Sequence, residues 1–322
     1  MKQTNRREFL KASATLSGVV LASLSLPGAL VAKQDFAADT AVLTKFRASF
    51  GATPIVTTKL GGNLTLLSGP GGNVIVSDGK DGKLLIDTFV QPAWPKLKET
   101  LDSISANPIT QVIDTHWHFD HVDNNALLRA LGARVLAHKN VPRRMKEFHE
   151  IAAFNIHFPP SPPDALPTET FSSTRQIDFN GEKLHLEHAS PAHTDSDIFI
   201  HFPNSNVIHC GDLVTNNGGF PLIDYDSGGK IGGMIKASKH IISIIDNNTK
   251  VIPGHGPISN KDYLVEFHER LVTIHDSIAA LNKKGLTLPE LIAEKPLEDL
   301  KPVWGRGMIS PDQYTDIVYH SL

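Results

Sequence analysis

Short apolar runs, separated by Gly-Gly and Asp-Gly turns, fill the chain from Ile55 to Asp87. Runs of this length between turn residues are typical of β-strands. Three strands are predicted here, at Asn63–Leu67, Asn73–Val76 and Lys83–Ile86. Because the turns between them are tight, we expect an antiparallel sheet at the start of the folded region.

Beyond this sheet, the apolar positions alternate between helical and strand spacing. The first group of predicted elements is helix Trp94–Ile104, strand Gln111–Asp114, helix Asn124–Leu131 ended by Gly132, and strand Arg134–Ala137. The second group is strands Ile177–Phe179, Lys183–His188, Asp197–Phe202 and Asn206–His209, helix Met234–Ile245 and strand Lys250–Ile252. Two β-rich halves that each end in helix predict two sheets packed face to face with helices outside.

The segment Phe154–Thr174 separates these halves and is rich in proline. Its five prolines are Pro159, Pro160, Pro162, Pro163 and Pro167. Proline lacks a backbone N–H and fits neither a helix interior nor a central strand, so a loop is predicted. Such a loop serves either as a lid over a site or as a plain surface excursion. His157 within it is not predicted to bind metal.

Near the end of the chain, apolar residues from Leu264 to Leu281 recur in steps of three and four, before Lys283-Lys284-Gly285. This spacing predicts one amphipathic helix packed on the domain. Its histidines, His268 and His275, are interpreted as surface or packing residues. The sequence contains no repeat or linker, so residues 33–322 are predicted to form one catalytic domain that ends in helices.

The composition is that of an ordinary globular protein, with 322 residues, of which 40% are hydrophobic and 20% charged. The formal net charge is -3, and it becomes -6 without residues 1–32, which hold four basic residues and one acidic residue. This leaves no basic excess for nucleic-acid binding. The one cysteine, Cys210, cannot form an internal disulfide. Packing and metal must therefore hold the fold together.

Residues 1–32 have the layout of an export signal. The segment TNRREFLK at residues 4–11 precedes an uncharged run from Ala12 to Ala32. Its paired arginines resemble the twin-arginine signal of bacteria, which directs folded proteins to the periplasm, although ordinary secretory signals and uncleaved anchors also carry this pair. We expect recognition by the twin-arginine machinery, cleavage near Ala32, a periplasmic location and no stable membrane insertion afterwards.

Four side chains that can bind metal stand within the seven residues THWHFDH at positions 115–121, directly after a predicted strand. In an extended segment, His116 and His118 project to the same side. Asp120 and His121 lie past the bend and can face a second ion. One short loop can therefore supply ligands to two metals.

Three later segments can complete such a site, because a catalytic metal needs about three protein ligands and an open position for water. His193 follows the strand Lys183–His188, Asp212 follows Asn206–His209, and His255 follows Lys250–Ile252. Open α/β sheets place their sites at the carboxyl ends of strands. We therefore expect these side chains to converge on the loop at 115–121.

The order His-x-His-x-Asp-His, lone His, Gly-Asp and Gly-His-Gly resembles the signature of the metallo-β-lactamase superfamily, over residues 116–255. The resemblance implies an αββα sandwich with the metals at one edge of its sheets. It also assigns the ligands: the first metal to His116, His118 and His193, the second to Asp120, His121 and His255, and the bridge to Asp212. Some true β-lactamases carry a cysteine at the bridging position. Cys210 lies two positions earlier and is interpreted as buried packing.

Asp87, in the segment LLIDT at residues 84–88, resembles the first motif of the same family. The resemblance implies that the Asp87 carboxylate lies beneath the site. Such a group fixes the tautomer of a ligand histidine by accepting its second N–H.

Two metals that share one water lower the pKa of that water from about 15.7 towards about 7, so hydroxide is the expected nucleophile. We assign a catalytic role to Asp120 as well as a ligand role. Nitrogen and oxygen donors favour zinc, two per chain, and leave iron or manganese open. The predicted activity is hydrolysis of a small carbonyl-containing molecule.

The substrate is less determined, since different superfamily members hydrolyse β-lactams, lactones, thioesters, phosphodiesters and sulfate esters. We predict a cyclic amide or ester, either a β-lactam or a lactone. The β-lactamases with a cysteine ligand commonly hold the substrate carboxylate with a lysine three residues later, where this chain has Thr215. The predicted pocket residues are Thr215 and Asn216, with Phe220 and Tyr225 from the glycine-rich stretch Gly218–Gly233.

Two other functions fit the same ligands. One is a thioesterase resembling glyoxalase II, although Lys283-Lys284 is a thin substitute for that family's cationic glutathione site. The other is an iron protein that uses oxygen, such as a persulfide dioxygenase or a periplasmic redox accessory factor. Metal identity separates them, because two zincs favour hydrolysis and one iron favours oxygen chemistry.

Overall fold

The computed structural model describes residues 41–189 and 191–322, and the predicted signal segment 1–32 lies outside them. The described part contains fourteen strands. They are β1 (Val56–Gly61), β2 (Leu64–Gly69), β3 (Gly72–Gly79), β4 (Gly82–Ile86), β5 (Ile109–Ile113), β6 (Arg134–His138), β7 (His149–Ile151), β8 (Ile156–Phe158), β9 (Glu169–Phe171), β10 (Thr174–Phe179), β11 (Glu182–His188), β12 (Ile198–Phe202), β13 (Val207–His209) and β14 (Lys250–Ile252).

The α-helices begin with α1, which covers residues 41–52. The others are α2 (Trp94–Ile104), α3 (Phe119–Val122), α4 (Asn125–Ala130), α5 (Asn140–Lys146), α6 (Ile231–Ile244), α7 (Lys261–Lys283), α8 (Leu288–Ala293), α9 (Lys301–Trp304) and α10 (Pro311–Ser321). Short 3₁₀ helices lie at Gln91–Ala93, Ala152–Phe154, Pro163–Ala165, Gly211–Leu213, Tyr225–Ser227 and Glu298–Leu300. Among the described helices, none is both long enough and apolar enough to span a bilayer.

Two large sheets contain twelve of these strands. The first has the order β1-β2-β3-β4-β5-β6-β9, antiparallel from β1 to β4 and parallel from β4 to β9. The second has the order β10-β11-β12-β13-β14, in which only β13 and β14 run parallel. The remaining pair, β7 and β8, forms a separate hairpin.

Strand alternation divides the apolar residues between the inner and outer faces of the sheets. Leu84 and Ile86 of β4 pack between the sheets, against Leu186 and Ile200 of the second sheet. Leu85 faces the other way and joins a cluster with the apolar face of α2. On the far side, the outer face of the second sheet packs against α6 and α7. The predicted αββα sandwich is confirmed.

The loop prediction for Phe154–Thr174 is wrong at both of its ends. β8 lies before the prolines, and β9 lies after them as the edge strand beside β6. The prolines themselves fall between the two strands, where no ladder hydrogen bond is needed. The prolines therefore exclude β-strand only at their own positions and not over the whole segment.

The helix α1 had no counterpart in the predicted elements, and polar contacts fix its position. The guanidinium of Arg47 donates two hydrogen bonds to the carboxylate of Asp123, of 2.7 and 2.6 Å. The Lys96 ammonium donates to the carbonyl oxygens of Gly51 and Ala52, both at 3.1 Å. Because Asp123 directly follows α3, these contacts hold α1 beside the predicted metal-binding loop.

Candidate metal centre

The metal-binding loop starts where β5 ends, at the edge of the first sheet. His118 is the N-cap of α3, and Asp120 lies in the first turn of this helix. The later candidates His193, Asp212 and His255 follow β11, β13 and β14 of the second sheet. The structure brings the side chains from both sheets together at this edge, as predicted.

Three imidazole nitrogens converge on one point. His118 Nδ1 lies 3.1 Å from His116 Nε2 and 2.9 Å from His193 Nε2. All three side chains are buried. Among the residues that the structure describes, they form one of three groups in which all the potential ligand atoms lie within 4.8 Å of one another.

The second nitrogen of each ring has an acceptor, which fixes the tautomers. His118 Nε2 donates to Asp224 Oδ2 at 2.9 Å, and His193 Nδ1 donates to the Leu222 carbonyl at 2.7 Å.

His116 Nδ1 lies 3.0 Å from Thr115 Oγ1, which itself donates to Asp87 and so accepts from the histidine. The three converging nitrogens of His116, His118 and His193 therefore carry no proton, and each presents its lone pair to the others. Three lone pairs at such distances repel one another unless a cation lies between them.

Asp212 lies between this group and a second group formed by Asp120, His121 and His255. Its Oδ2 is 3.3 Å from His255 Nε2 and 3.7 Å from His193 Nε2, and its Oδ1 is 3.4 Å from His121 Nε2. Asp212 thus faces donors of both groups, as a bridging ligand must.

Asp212 Oδ1 and His121 Nε2 are buried without a hydrogen-bond partner among the described residues. Buried polar atoms left unpaired are costly. Coordination of a cation would satisfy both, so these residues fit a divalent metal pair.

Asp87 supports the site from below, where the sequence placed it. Its carboxylate accepts hydrogen bonds from Thr115 N at 2.7 Å, Thr115 Oγ1 at 2.8 Å and His121 Nδ1 at 2.8 Å. Its backbone has φ +65°, a left-handed conformation that non-glycine residues adopt at a cost. The three hydrogen bonds hold it there, and they aim His121 Nε2 at the metal position.

Asp224 is an outer carboxylate that the sequence did not reveal. It is buried, and besides His118 it accepts from Ser227 N at 3.1 Å and from the Ser227 hydroxyl. It caps the 3₁₀ turn Tyr225–Ser227. The Asp-x-x-Ser spacing is a capping signal that could have marked this turn, but not its histidine partner, 106 residues away.

Electrostatics divide the histidines into two kinds. Burial and neighbouring imidazoles hold the pKa of His116 well below its usual range and lower that of His193 to about 4. For His121, burial also disfavours the charge, but the surrounding carboxylates outweigh it and raise the pKa to about 10. In the metal-free protein His121 therefore keeps a second proton at neutral pH, which a cation would displace.

Gly254 precedes His255 because no side chain fits there. A Cβ at this position would overlap Asp212 Oδ1. The Gly254 N–H donates to the Gly211 carbonyl at 2.7 Å, which ties the two ligand loops together. The glycine therefore lets the backbone pass directly against the bridging carboxylate.

A cavity of about 250 Å³ opens onto this centre, at Asp120, Asp212 and His255. Its other walls come from α1, the β7–β8 hairpin, the stretch 219–222 and residues 307–309. A larger cavity of about 410 Å³ lies beside the prolines of 159–162, but its lining includes none of the seven candidate ligands. The smaller cavity is therefore the candidate substrate site.

Of the predicted pocket residues, the structure places Thr215 and Phe220 in the cavity wall. Asn216 instead donates to Ser259 Oγ at 2.8 Å. The ring of Tyr225 lies 5.2 Å from that of His320. Neither residue lines the cavity, because their side chains contact Ser259 and His320 instead, so the predictions for Asn216 and Tyr225 are corrected.

The three histidines interpreted above as non-ligands and the cysteine belong to none of the candidate ligand groups. His157 Nε2 is 3.3 Å from a carboxylate oxygen of Glu150, and His268 Nδ1 is 3.0 Å from Ser238 Oγ. His275, on the exposed face of α7, pairs with its neighbour Asp276. Cys210 is fully buried, and burial raises the pKa of its thiol. These positions fit surface or packing roles.

Comparison with known proteins identifies one family and one fold. The family model described as "Metallo-beta-lactamase superfamily" matches residues 67–259. Among solved structures, a metallo-beta-lactamase from Pontibacter korlensis is 18% identical, with a TM-score of 0.54, over 67% of this chain and 98% of that one. The metallo-beta-lactamase IND-7 is 19% identical, with a TM-score of 0.55, over 67% of this chain and 97% of that one.

A stereoselective inverting sec-alkylsulfatase from Pseudomonas sp. is also similar, at 17% identity with a TM-score of 0.60. The match covers 82% of this chain but only 50% of the sulfatase. At such identities the similarity shows the fold alone.

Proposed function

The chain belongs to the metallo-beta-lactamase superfamily of metal-dependent hydrolases, and from this premise we propose that it is an exported enzyme with two zinc ions that hydrolyses a cyclic amide or ester. The observation that carries the proposal is the convergence of three histidine lone pairs beside a bridging aspartate. His116, His118 and His193 would hold one ion. Asp120, His121 and His255 would hold the other, with Asp212 shared.

Bound divalent ions would supply an activated water and a positive charge beside the scissile carbonyl. The protein's own residues keep the site ready for this. Asp224 accepts the Nε2 proton of His118, so that this ring presents a lone pair to the site. Asp87 accepts the Nδ1 proton of His121, whose Nε2 would present a lone pair once a cation has displaced its second proton. His116, His118 and His193 are buried, which limits competition by bulk water for their nitrogen atoms.

Hydrolysis adds water across the bond between the carbonyl carbon and its leaving atom. The water oxygen joins the carbon, and a proton goes to the departing oxygen or nitrogen. Asp120 Oδ2 is 3.4 Å from His255 Nε2, at the floor of the cavity, where it can accept a hydrogen bond from the attacking water. Thr215 and Asn217 add polar groups beside it.

Export and location are part of the proposal. The twin-arginine-like residues Arg6 and Arg7 support it, because that pathway accepts proteins which have folded around their metal. The double substitution Arg6→Lys with Arg7→Lys is expected to retain the protein in the cytoplasm. Unchanged delivery to the periplasm would reject this part without touching the hydrolase assignment.

The function is tested by a substrate panel beside metal analysis of the natively purified protein. We expect two zincs per chain and turnover of at least one penicillin, carbapenem or lactone, lost on chelation and restored by zinc. Two zincs with turnover of thioesters alone would instead indicate the thioesterase. One iron per chain, with oxygen consumption, would indicate the oxygen-using alternative.

A further inference from the structure

The cavity at the metal centre is apolar away from its floor, and its described lining contains neither lysine nor arginine. Its ionisable groups are Asp120, Asp212, His118 and His255, all of them at the candidate metals. The walls are formed by aromatic and aliphatic side chains, which include Phe46, Phe50, Ile151, Phe154, Ile156 and Ile309. An anionic group on the far part of a substrate would thus lose its hydration without gaining a counter-charge.

Much of this wall belongs to elements outside the residues that match the family model, 67–259. Phe46 and Phe50 lie one helical turn apart on α1, with ring centroids 6.0 Å apart. Phe50 stacks on Phe119 of the metal-binding loop at 6.0 Å, and Phe46 lies 6.4 Å from Phe154 of the hairpin region. The aromatic wall is thus continuous from α1 to the metal-binding loop.

The opposite wall comes from the C-terminal part of the chain. Gly219 and Gly307 approach so closely that a Cβ on Gly307 would lie 2.6 Å from the Gly219 Cα. This contact places Met308 and Ile309 in the cavity wall. Met308 is 62% exposed, so it lies at the mouth of the cavity.

We propose that the substrate is an uncharged carboxylic ester or lactone whose apolar chain lies between α1 and residues 307–309. This rests on the proposed hydrolytic function and narrows it, because a penicillin or carbapenem carries a carboxylate that this wall does not neutralise. Water adds across the acyl C–O bond: its oxygen joins the carbonyl carbon and a proton goes to the alkoxide oxygen. An ester gives a carboxylic acid and an alcohol, and a lactone gives one hydroxy acid.

The test uses the zinc-loaded protein and p-nitrophenyl esters from acetate to octanoate, beside esters of matched length that end in a carboxylate. Each added methylene that is buried should raise kcat/KM about threefold to fourfold until the cavity is full. For each carboxylate-ended ester, kcat/KM should be at least about tenfold lower than for its uncharged counterpart. Rates that do not depend on chain length, or that favour the charged series, overturn the inference and leave the hydrolase assignment intact.

Variants locate the effect. Phe50→Ser should flatten the dependence of kcat/KM on chain length. Met308→Lys at the mouth should raise kcat/KM for the carboxylate-ended esters, relative to that for the uncharged ones, by about tenfold. The control is Val303→Lys, which adds the same charge at an exposed position outside the cavity lining and should change neither ratio. Equal shifts in both lysine variants would overturn the assignment of this wall.

A binding measurement separates this inference from the hydrolytic function. In the zinc-loaded protein, calorimetry should detect 1-octanol binding, weakened about tenfold or more by Phe50→Ser. Octanol binding without turnover of any ester would support the cavity assignment and reject ester hydrolysis. Absence of octanol binding would overturn the cavity assignment even if esters are cleaved.

Discussion

Replacement of Asp224 by alanine isolates the contribution of an outer carboxylate to one candidate metal. Asp224 does not face the metal positions directly. It accepts the Nε2 proton of His118 at 2.9 Å, and it is itself held by Ser227. Without this acceptor, His118 can move its proton to Nδ1, the nitrogen that should bind metal.

The size of the effect follows from the contact that is lost. Burial disfavours the Asp224 anion, but the hydrogen bonds from His118 and Ser227, with the charge of His118, together outweigh it and lower the pKa of the carboxyl below its ordinary value. A buried hydrogen bond to a charged group contributes about 1.5–3 kcal/mol. We therefore expect metal affinity at the His116, His118 and His193 group to fall about 10-fold to 100-fold, as for other partners of metal-binding histidines.

The assay is competition with a chromophoric chelator, which reports the two metal affinities separately. Asp224→Ala should weaken one affinity, while Asp224→Asn, which keeps an acceptor oxygen, should lie between alanine and the wild type. Asp226→Ala is the matched control, because this exposed carboxylate of the same turn accepts a hydrogen bond only from the Ala152 N–H among the described contacts. Wild-type affinity in Asp224→Ala, or an equal loss in Asp226→Ala, would refute the reasoning.

Three further changes test other parts of the structure. Gly254→Ala should displace Asp212 and lower the stability of the protein by about 1–3 kcal/mol. The metal content measured by mass spectrometry should fall, and full metal occupancy would contradict the close approach of Gly254 to Asp212. Arg47→Met should leave the Asp123 carboxylate without its charged partner and destabilise the protein by about 1–3 kcal/mol, with α1 cleaved first in limited proteolysis; unchanged proteolysis would show that other contacts position α1. Burial lowers the pKa of His138 to about 4, so the unfolded chain takes up a proton first as the pH falls. Stability should therefore decrease from about pH 6.5 to pH 4, and less so in His138→Gln, as measured by urea midpoints at pH 7 and 5; equal slopes would exclude His138 as a source.

The convergence of the candidate ligands could be predicted from the sequence because local spacing determines where these side chains project. His116 and His118 are two residues apart in an extended segment and so project to the same side. Each later candidate follows a strand that reaches the same sheet edge. Asp87 was found for the same reason, at the end of β4. These positions depend on strand geometry, which a single sequence carries.

The cavity wall was less predictable because tertiary packing decides which side chains face it. Phe220 was correctly placed, and in the structure its ring stacks on Tyr314 at 4.6 Å and contacts Trp304. Tyr225, five residues later, turns towards His320 instead. Nothing in the local pattern distinguishes these two aromatic residues. The contribution of α1 was missed because its position depends on distant contacts such as that of Arg47 with Asp123.

Anomalous diffraction at the zinc edge, from crystals of the natively purified protein, tests the central claim most directly. We expect two peaks: one enclosed by His116, His118 and His193, and the other beside His121 and His255. A map without a peak at this sheet edge, or with zinc only at the protein surface, would contradict the account.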